Sequence, residues 1–148
     1  RWEKVQPPII NRYMKQREIK FRAWDKMTKT IRLVDNISFA YSCCYLFFLV
    51  NEKSRVPESR LPEQVEIMQF TGLLDKNGKE IWEGDVVETE TSTGLHKFEV
   101  EYDNEKASYM CPHIVDDECE TTLGQLPNSI EIIGNIYENP ELITPNDA

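Results

Sequence analysis

Phe70-Thr71-Gly72-Leu73-Leu74-Asp75-Lys76-Asn77-Gly78-Lys79-Glu80-Ile81-Trp82-Glu83-Gly84-Asp85-Val86-Val87 packs three turn signals and the starts of at least two strands into eighteen residues. Asp75-Lys76-Asn77-Gly78 has the composition of a hairpin loop, closed by a glycine that can take positive φ. Glu83-Gly84-Asp85 is a second reversal, set just before the apolar pair Val86-Val87. Short strands joined by tight turns are therefore the expected material of this chain.

The flanking residues continue that pattern. Upstream, Ile19, Phe21 and Ala23 alternate with Glu18, Lys20, Arg22 and Trp24, the period of a strand with one buried face. Asp25 to Thr30 is polar and turn-like, and Ile31 to Val34 offers the returning strand of a hairpin. Asn36 to Val50 is dense in aromatic and aliphatic residues, which favours one long strand or a tight strand pair over a buried helix. Asn51 to Pro62, with Pro57, Pro62 and several charges, reads as a surface connection with room for one helical turn. Gln64 to Phe70 resumes the alternation.

Downstream, Val86 to Thr91 is expected to pair with Lys97 to Tyr102 across Ser92-Thr93-Gly94, with Phe98, Val100 and Tyr102 on one face. A further strand falls near Ala107 to Cys111, and Ser129 to Tyr137 suggests a strand broken by a bulge at Gly134. Asn139-Pro140-Glu141-Leu142 sets a capping residue before proline, the pattern of a single closing helical turn. The predicted class is mainly β: a small SH3-like barrel or a strongly bent antiparallel sheet, with long loops and a short C-terminal helical turn.

A length of 148 residues suits one domain with a sizeable core. Residues 1–13, with Pro7-Pro8 and no clear period, read as an N-terminal extension, and 14–148 as the single domain. Four cysteines, two of them adjacent in an apolar run, fit a reduced, cytoplasmic setting better than a disulfide scaffold. Phe39 to Val50 is too short for the roughly 20 residues that cross a bilayer, so no membrane partner is expected.

The net charge of −9 hides an asymmetry. Residues 1–60 carry 13 Lys/Arg against 6 Asp/Glu, and residues 61–148 carry 4 against 20, giving +7 and −16. An acidic chain disfavours nonspecific nucleic-acid binding over its whole surface, whereas a local basic face escapes that objection. The plainer reading is that the two parts, or neighbouring subunits, pack with opposite charges adjacent.

Three segments together resemble the YopX-like family of bacteriophage and prophage proteins: Arg17-Glu18-Ile19-Lys20-Phe21-Arg22-Ala23-Trp24-Asp25; Phe70-Thr71-Gly72-Leu73 through Gly84-Asp85-Val86-Val87; and Ile132-Ile133-Gly134-Asn135-Ile136-Tyr137-Glu138-Asn139-Pro140-Glu141-Leu142. The match spans Met14 to about Ile143 and keeps the family's order. It implies a small accessory protein of a mobile element, without an assigned catalytic mechanism, that tends to assemble into oligomers. It carries over no site residues. The extension before Met14 and the apolar run Phe39 to Val50 depart from the family's usual pattern.

Few residues suggest chemistry. Cys111-Pro112-His113 with Cys119, and Cys43-Cys44, hold metal-ligand residue types but lack the Cys-x-x-Cys spacing of zinc sites, so no metal or other cofactor is expected. Asp116-Asp117-Glu118 and Glu120 read as a solvated loop, and His96 and His113 as surface residues. Asp75, Glu83, Asp85 and Glu88 lie in or beside turns, where carboxylates accept backbone hydrogen bonds. The chain is expected not to be an enzyme. It is read first as an oligomeric β module that binds a host or phage protein through Lys20, Arg22, Trp24 and Lys26. The alternatives are a nucleic-acid-binding β-barrel using the same hairpin with Lys29, and a small hydrolase using Asp85 or Glu88.

Overall fold

In the computed structural model, which describes residues 17–41, 44–51, 53–115 and 120–144 and only the backbone at 40, 41 and 44–46, the alternating stretches are strands. In chain order among the described residues they are β1 (Phe21–Asp25), β2 (Thr30–Tyr41), β3 (Cys44–Val50), β4 (Glu58–Arg60), β5 (Val65–Leu74), β6 (Glu80–Trp82), β7 (Asp85–Thr91), β8 (Gly94–Glu99), β9 (Glu101–Asp103), β10 (Ser108–Pro112), β11 (Glu120–Thr122) and β12 (Glu131–Asn135). Single 3-10 turns fall at Pro62–Gln64, Leu123–Gln125 and Pro140–Leu142. The class is mainly β.

The strands form three antiparallel sheets, ordered β4-β3-β2-β1-β5-β6, β12-β7-β8 and β11-β10-β9. They are not closed into a barrel, which corrects the SH3-like alternative. The six-stranded sheet keeps β4 and β6 as separate edges, and the second long strand expected over Lys97 to Tyr102 breaks at Val100. There Val100 N–H donates to the Asp85 carbonyl and its own carbonyl accepts from Gly84 N–H. Those bonds hold Val100 over a turn, so the chain leaves β8 for another sheet as β9, and Tyr102 is exposed.

Strong bending is nevertheless present in the large sheet. On a flat sheet β4 and β5 would stand four strand spacings apart, roughly 19 Å. The chain from Arg60 to Val65 covers at most roughly 18 Å fully extended, and the 3-10 turn within it shortens that reach, so the sheet must curl. Arg60 on β4 accordingly reaches Asp25 on β1, with Nε 3.1 Å from Oδ1.

The apolar run resolves into a strand pair, with rungs from Leu33↔Val50 to Tyr41↔Cys44 and two bulges. The connection after it is less irregular than expected, because it contains edge strand β4. One apolar cluster joins Ala23, Phe47, Leu49 and Val65, and another joins Ile81, Val87, Phe98, Val100, Cys111, Leu123 and Ile130. Strand β12 bulges between Ile132 and Gly134, as the glycine suggested.

Candidate interaction surface

The basic and aromatic residues nominated on β1 do share a face, and the rest of the protein is folded against much of it. Arg22 opposes Met68 of β5 and Trp24 opposes Glu66. Lys20 is ion-paired with Glu18 and Glu80, and Lys26 with Glu66 at 2.6 Å. Arg22 is 14% exposed, pairs with Asp85 Oδ1 at 2.5 Å, and lies over the Trp82 ring. Trp24 stacks on Tyr137, with ring centroids 5.7 Å apart and planes 13° from parallel. Lys29 occupies the turn after β1, with a φ of 55°. The structure thus brings Lys20, Arg22, Trp24 and Lys26 together, each cation already facing a carboxylate.

Around Arg22 lies a cleft of about 460 Å³ between edge strands β6 and β12, with Trp82, Asp85, Gly134, Asn135 and Glu138 among its lining residues. One end is tied by Asp75, whose buried carboxylate accepts N–H bonds from Asn77, Lys79 and Ile132. Burial pushes that carboxyl up, but those three bonds outweigh it and hold the group below the usual carboxylate range. At the other end Asn135 accepts from the Tyr137 and Glu138 N–H groups and donates to the Glu138 carboxylate. Gly84 turns beneath with a φ of 79°, and a Cβ there would meet Met68 Sδ at 3.3 Å. All three segments singled out in the sequence meet here, at the joint between the six-stranded sheet and β7 with β12.

A family model described as YopX protein matches residues 20–144. The chain belongs to the YopX protein family. Its fold is similar to the crystal structure of protein EF1440 from Enterococcus faecalis, at 25% identity and a TM-score of 0.55, covering 87% of this chain and all of that one. It is also similar to protein yopX from Bacillus subtilis, at 19% identity and a TM-score of 0.57, covering 85% and 96%. No curated protein matches the chain.

The candidate carboxylates of this YopX-family chain differ in placement. Asp85 is buried in the cleft, where burial raises its carboxyl against the pull of Arg22 and the Trp82 N–H bond. Glu83 accepts from Gln69 N–H, also raised by burial. Glu88 sits in β7 between Lys97 and Glu131 and does not line the cleft. Turn geometry explains Asp75 and Glu83, as the sequence indicated, whereas Asp85 belongs to a pocket.

His113 Nδ1 accepts from Val115 N–H, and its Nε2 lies 2.9 Å from His96 Nδ1. His96 Nε2 in turn lies 2.8 Å from Thr93 Oγ1. Among the described residues no group of three or more His, Cys, Asp or Glu could hold a metal ion. Cys43, Cys119 and Asp116-Asp117-Glu118 lie outside the described residues, and Cys111 is buried in the core. No helix among the described residues is long and apolar enough to cross a membrane.

One surface has no sequence counterpart. Above the last rung joining β1 and β2 the strands diverge, leaving a groove of about 390 Å³ lined by Ile19, Phe21, Leu33, Val34 and Ile37 with Lys20, Asp35 and Asn36. Ile19 is 63% exposed and Leu33 52%. The period-two pattern assigned Ile19 to the core, because it carries no sign of where neighbouring strands part.

Proposed function

We propose that this chain is a non-enzymatic accessory protein of a phage or prophage, acting in the bacterial cytoplasm as a self-associating module that binds a host or phage protein. The observation that carries this reading is the apolar groove beside β1 and β2, rimmed by exposed Ile19 and Leu33. Open apolar surface of this kind marks protein contacts, whereas Asp85, Asn135 and Glu138 in the cleft are already hydrogen-bonded to neighbouring groups. Light scattering over a range of protein and salt concentrations is the test. Mass should rise with concentration, and Ile19→Asp combined with Leu33→Asp should abolish the rise with an unchanged circular dichroism spectrum. A monomer at every concentration would remove the assembly part of the reading.

The hydrolase alternative gains one observation, that Asp85 lines a cleft with its carboxyl raised by burial. Arg22 and the Trp82 amide already occupy that carboxylate, so we expect no turnover of an ester, phosphoester and glycoside panel. Activity lost in Asp85→Asn would replace the binding reading. Nucleic-acid binding through Lys20, Arg22, Trp24 and Lys26 has no comparable support, since phosphate would have to displace Glu80, Asp85 and Glu66.

A further inference from the structure

The cleft between β6 and β12 is unevenly supplied with hydrogen bonds. Several of its acceptors are in use. Asp85 takes Arg22 Nη2 on Oδ1 at 2.5 Å and the Trp82 N–H on Oδ2 at 2.8 Å, and Asn139 Oδ1 takes the Asn135 N–H at 3.3 Å. Glu80 is held by Lys20. The side-chain donors are left over. A guanidinium carries five N–H bonds, yet Arg22 has Asp85 as its single hydrogen-bond partner among the described residues, and its Nε is buried without one. The Trp82 indole N–H, on a side chain beneath that guanidinium in a residue 6% exposed, has no partner among the described residues either. Buried donors are normally satisfied by protein, water or a ligand.

Two charges of the lining also stand outside any ion pair among the described residues, one at each end. Lys79 lies at the end tied by Asp75, which accepts its backbone N–H, and Glu138 lies at the other, accepting from Asn135 Nδ2 at 2.8 Å. Both residues are exposed. Asp85 faces Asn135 across the β7–β12 ladder, so Arg22 and Trp82, both bonded to Asp85, sit nearer the Glu138 end.

We infer that this cleft is a binding site for a free α-amino acid, whose carboxylate accepts from Arg22 and the Trp82 indole while its ammonium pairs with Glu138. A simple anion is disfavoured, because Asp85 and Glu138 share the cleft and the chain carries −9. A zwitterion meets both signs. An added peptide strand is disfavoured too, since the N–H groups of Trp82, Ile132 and Asn135 on the two edge strands are capped by Asp85, Asp75 and Asn139. The volume of about 460 Å³ falls in the range of small-ligand sites. Lys79 at the far end selects an acidic side chain. The inference is independent of the apolar groove and of self-association.

Melting curves and nitrogen–proton correlation spectra of the full chain, taken with each free amino acid at millimolar concentration against KCl of equal ionic strength, test it. Glutamate or aspartate should raise the melting temperature and move the Trp82 indole resonance, assigned by its loss in Trp82→Phe. The N-acetyl derivative, which lacks the ammonium, and the α-amide, which lacks the carboxylate, should each bind about tenfold more weakly. Glu138→Gln should erase the penalty of N-acetylation, and Lys79→Ala the preference for an acidic side chain. Both substitutions fall at exposed residues, so they carry the test if Trp82→Phe misfolds. The site is overturned if no free amino acid alters the melting curve or the spectrum. It is equally overturned if binding leaves the Trp82 resonance in place, or if the N-acetyl derivative binds the wild type as tightly as the amino acid.

Discussion

Asp25 lies fully buried on β1 and collects bonds from Met27 N–H, from Arg32 Nη1 at 3.1 Å and from Arg60 Nε at 3.1 Å. Burial alone would raise its carboxyl; the bonds from Arg60, Met27 and Arg32 prevail and hold it at about 2. A depressed carboxylate contributes stability above its unfolded pKa of 3.8, and that contribution is lost as pH falls through about 2. The shift corresponds to about 2–3 kcal/mol. Melting temperature should therefore drop between roughly pH 5 and pH 2, and the drop should be shallower in Asp25→Asn. Asp25→Ala leaves the Arg32 and Arg60 guanidinium groups with only the half-exposed Glu58 as a shared carboxylate and should cost about 3–5 kcal/mol in urea unfolding.

Cys111 offers a second residue-scale test. It is fully buried beside Phe98 and Val100, and burial pushes its thiol up to about 12. Iodoacetamide at pH 8 should leave Cys111 unmodified in peptide mapping until the protein unfolds. Labelling at native rates would contradict its placement. Gly134 is constrained by contact: a Cβ there would stand 2.5 Å from Asn139 Oδ1 and 2.7 Å from Leu142 Cδ1. Gly134→Ala should destabilise by about 1–3 kcal/mol through overpacking of the closing turn.

Between elements, the joint of β1 with β7 and the segment after β12 combines a buried ion pair with an aromatic stack. Arg22→Ala strands the buried Asp85 carboxylate and should cost about 3–5 kcal/mol. Lys20→Ala breaks pairs that are more than a third exposed and should leave the urea midpoint close to that of the wild type. A double-mutant cycle on Trp24 and Tyr137 should return a coupling of about 0.5–1.5 kcal/mol, and additivity would show that the stack contributes nothing. The elements were legible where local chemistry governs them. Asp75 to Gly78, the bulge at Gly134 and the turn at Pro140 are fixed by neighbours in sequence. The pairing of Trp24 with Tyr137, the break at Val100 and the exposure of Ile19 depend on distant strands, which no periodicity records. Lys20, Arg22, Trp24 and Lys26 alternate with the buried positions of β1, and the acidic groups that meet the cations come from β5, β6 and β7 as well as from Glu18.

Over the whole molecule, the charge asymmetry has a structural counterpart in those same pairs. Lys20–Glu80, Arg22–Asp85 and Lys26–Glu66 each join a cation from the first 60 residues to a carboxylate from the remainder. The two parts of the chain thus neutralise each other where they touch. The partly exposed members are screened by salt, so 1 M NaCl should lower the melting temperature only modestly. A collapse of the fold in salt would mean that these pairs hold the parts together unaided.

The order of strands in the large sheet also governs when each becomes protected. Only two residues of sequence separate β2 from β3, whereas Ala23 must find Ile67 far along the chain. Loop-closure entropy makes the local ladder the faster of the two to form. During synthesis or refolding the β2–β3 ladder, in which residues 36–50 carry no charged side chain, therefore exists before β5 arrives to complete the sheet behind it. Refolding yield should fall as protein concentration rises, and Phe39→Asp should restore it without changing the refolding rate. The strand pair that the mature protein displays is thus also the segment most exposed to misassembly while the chain is still being made.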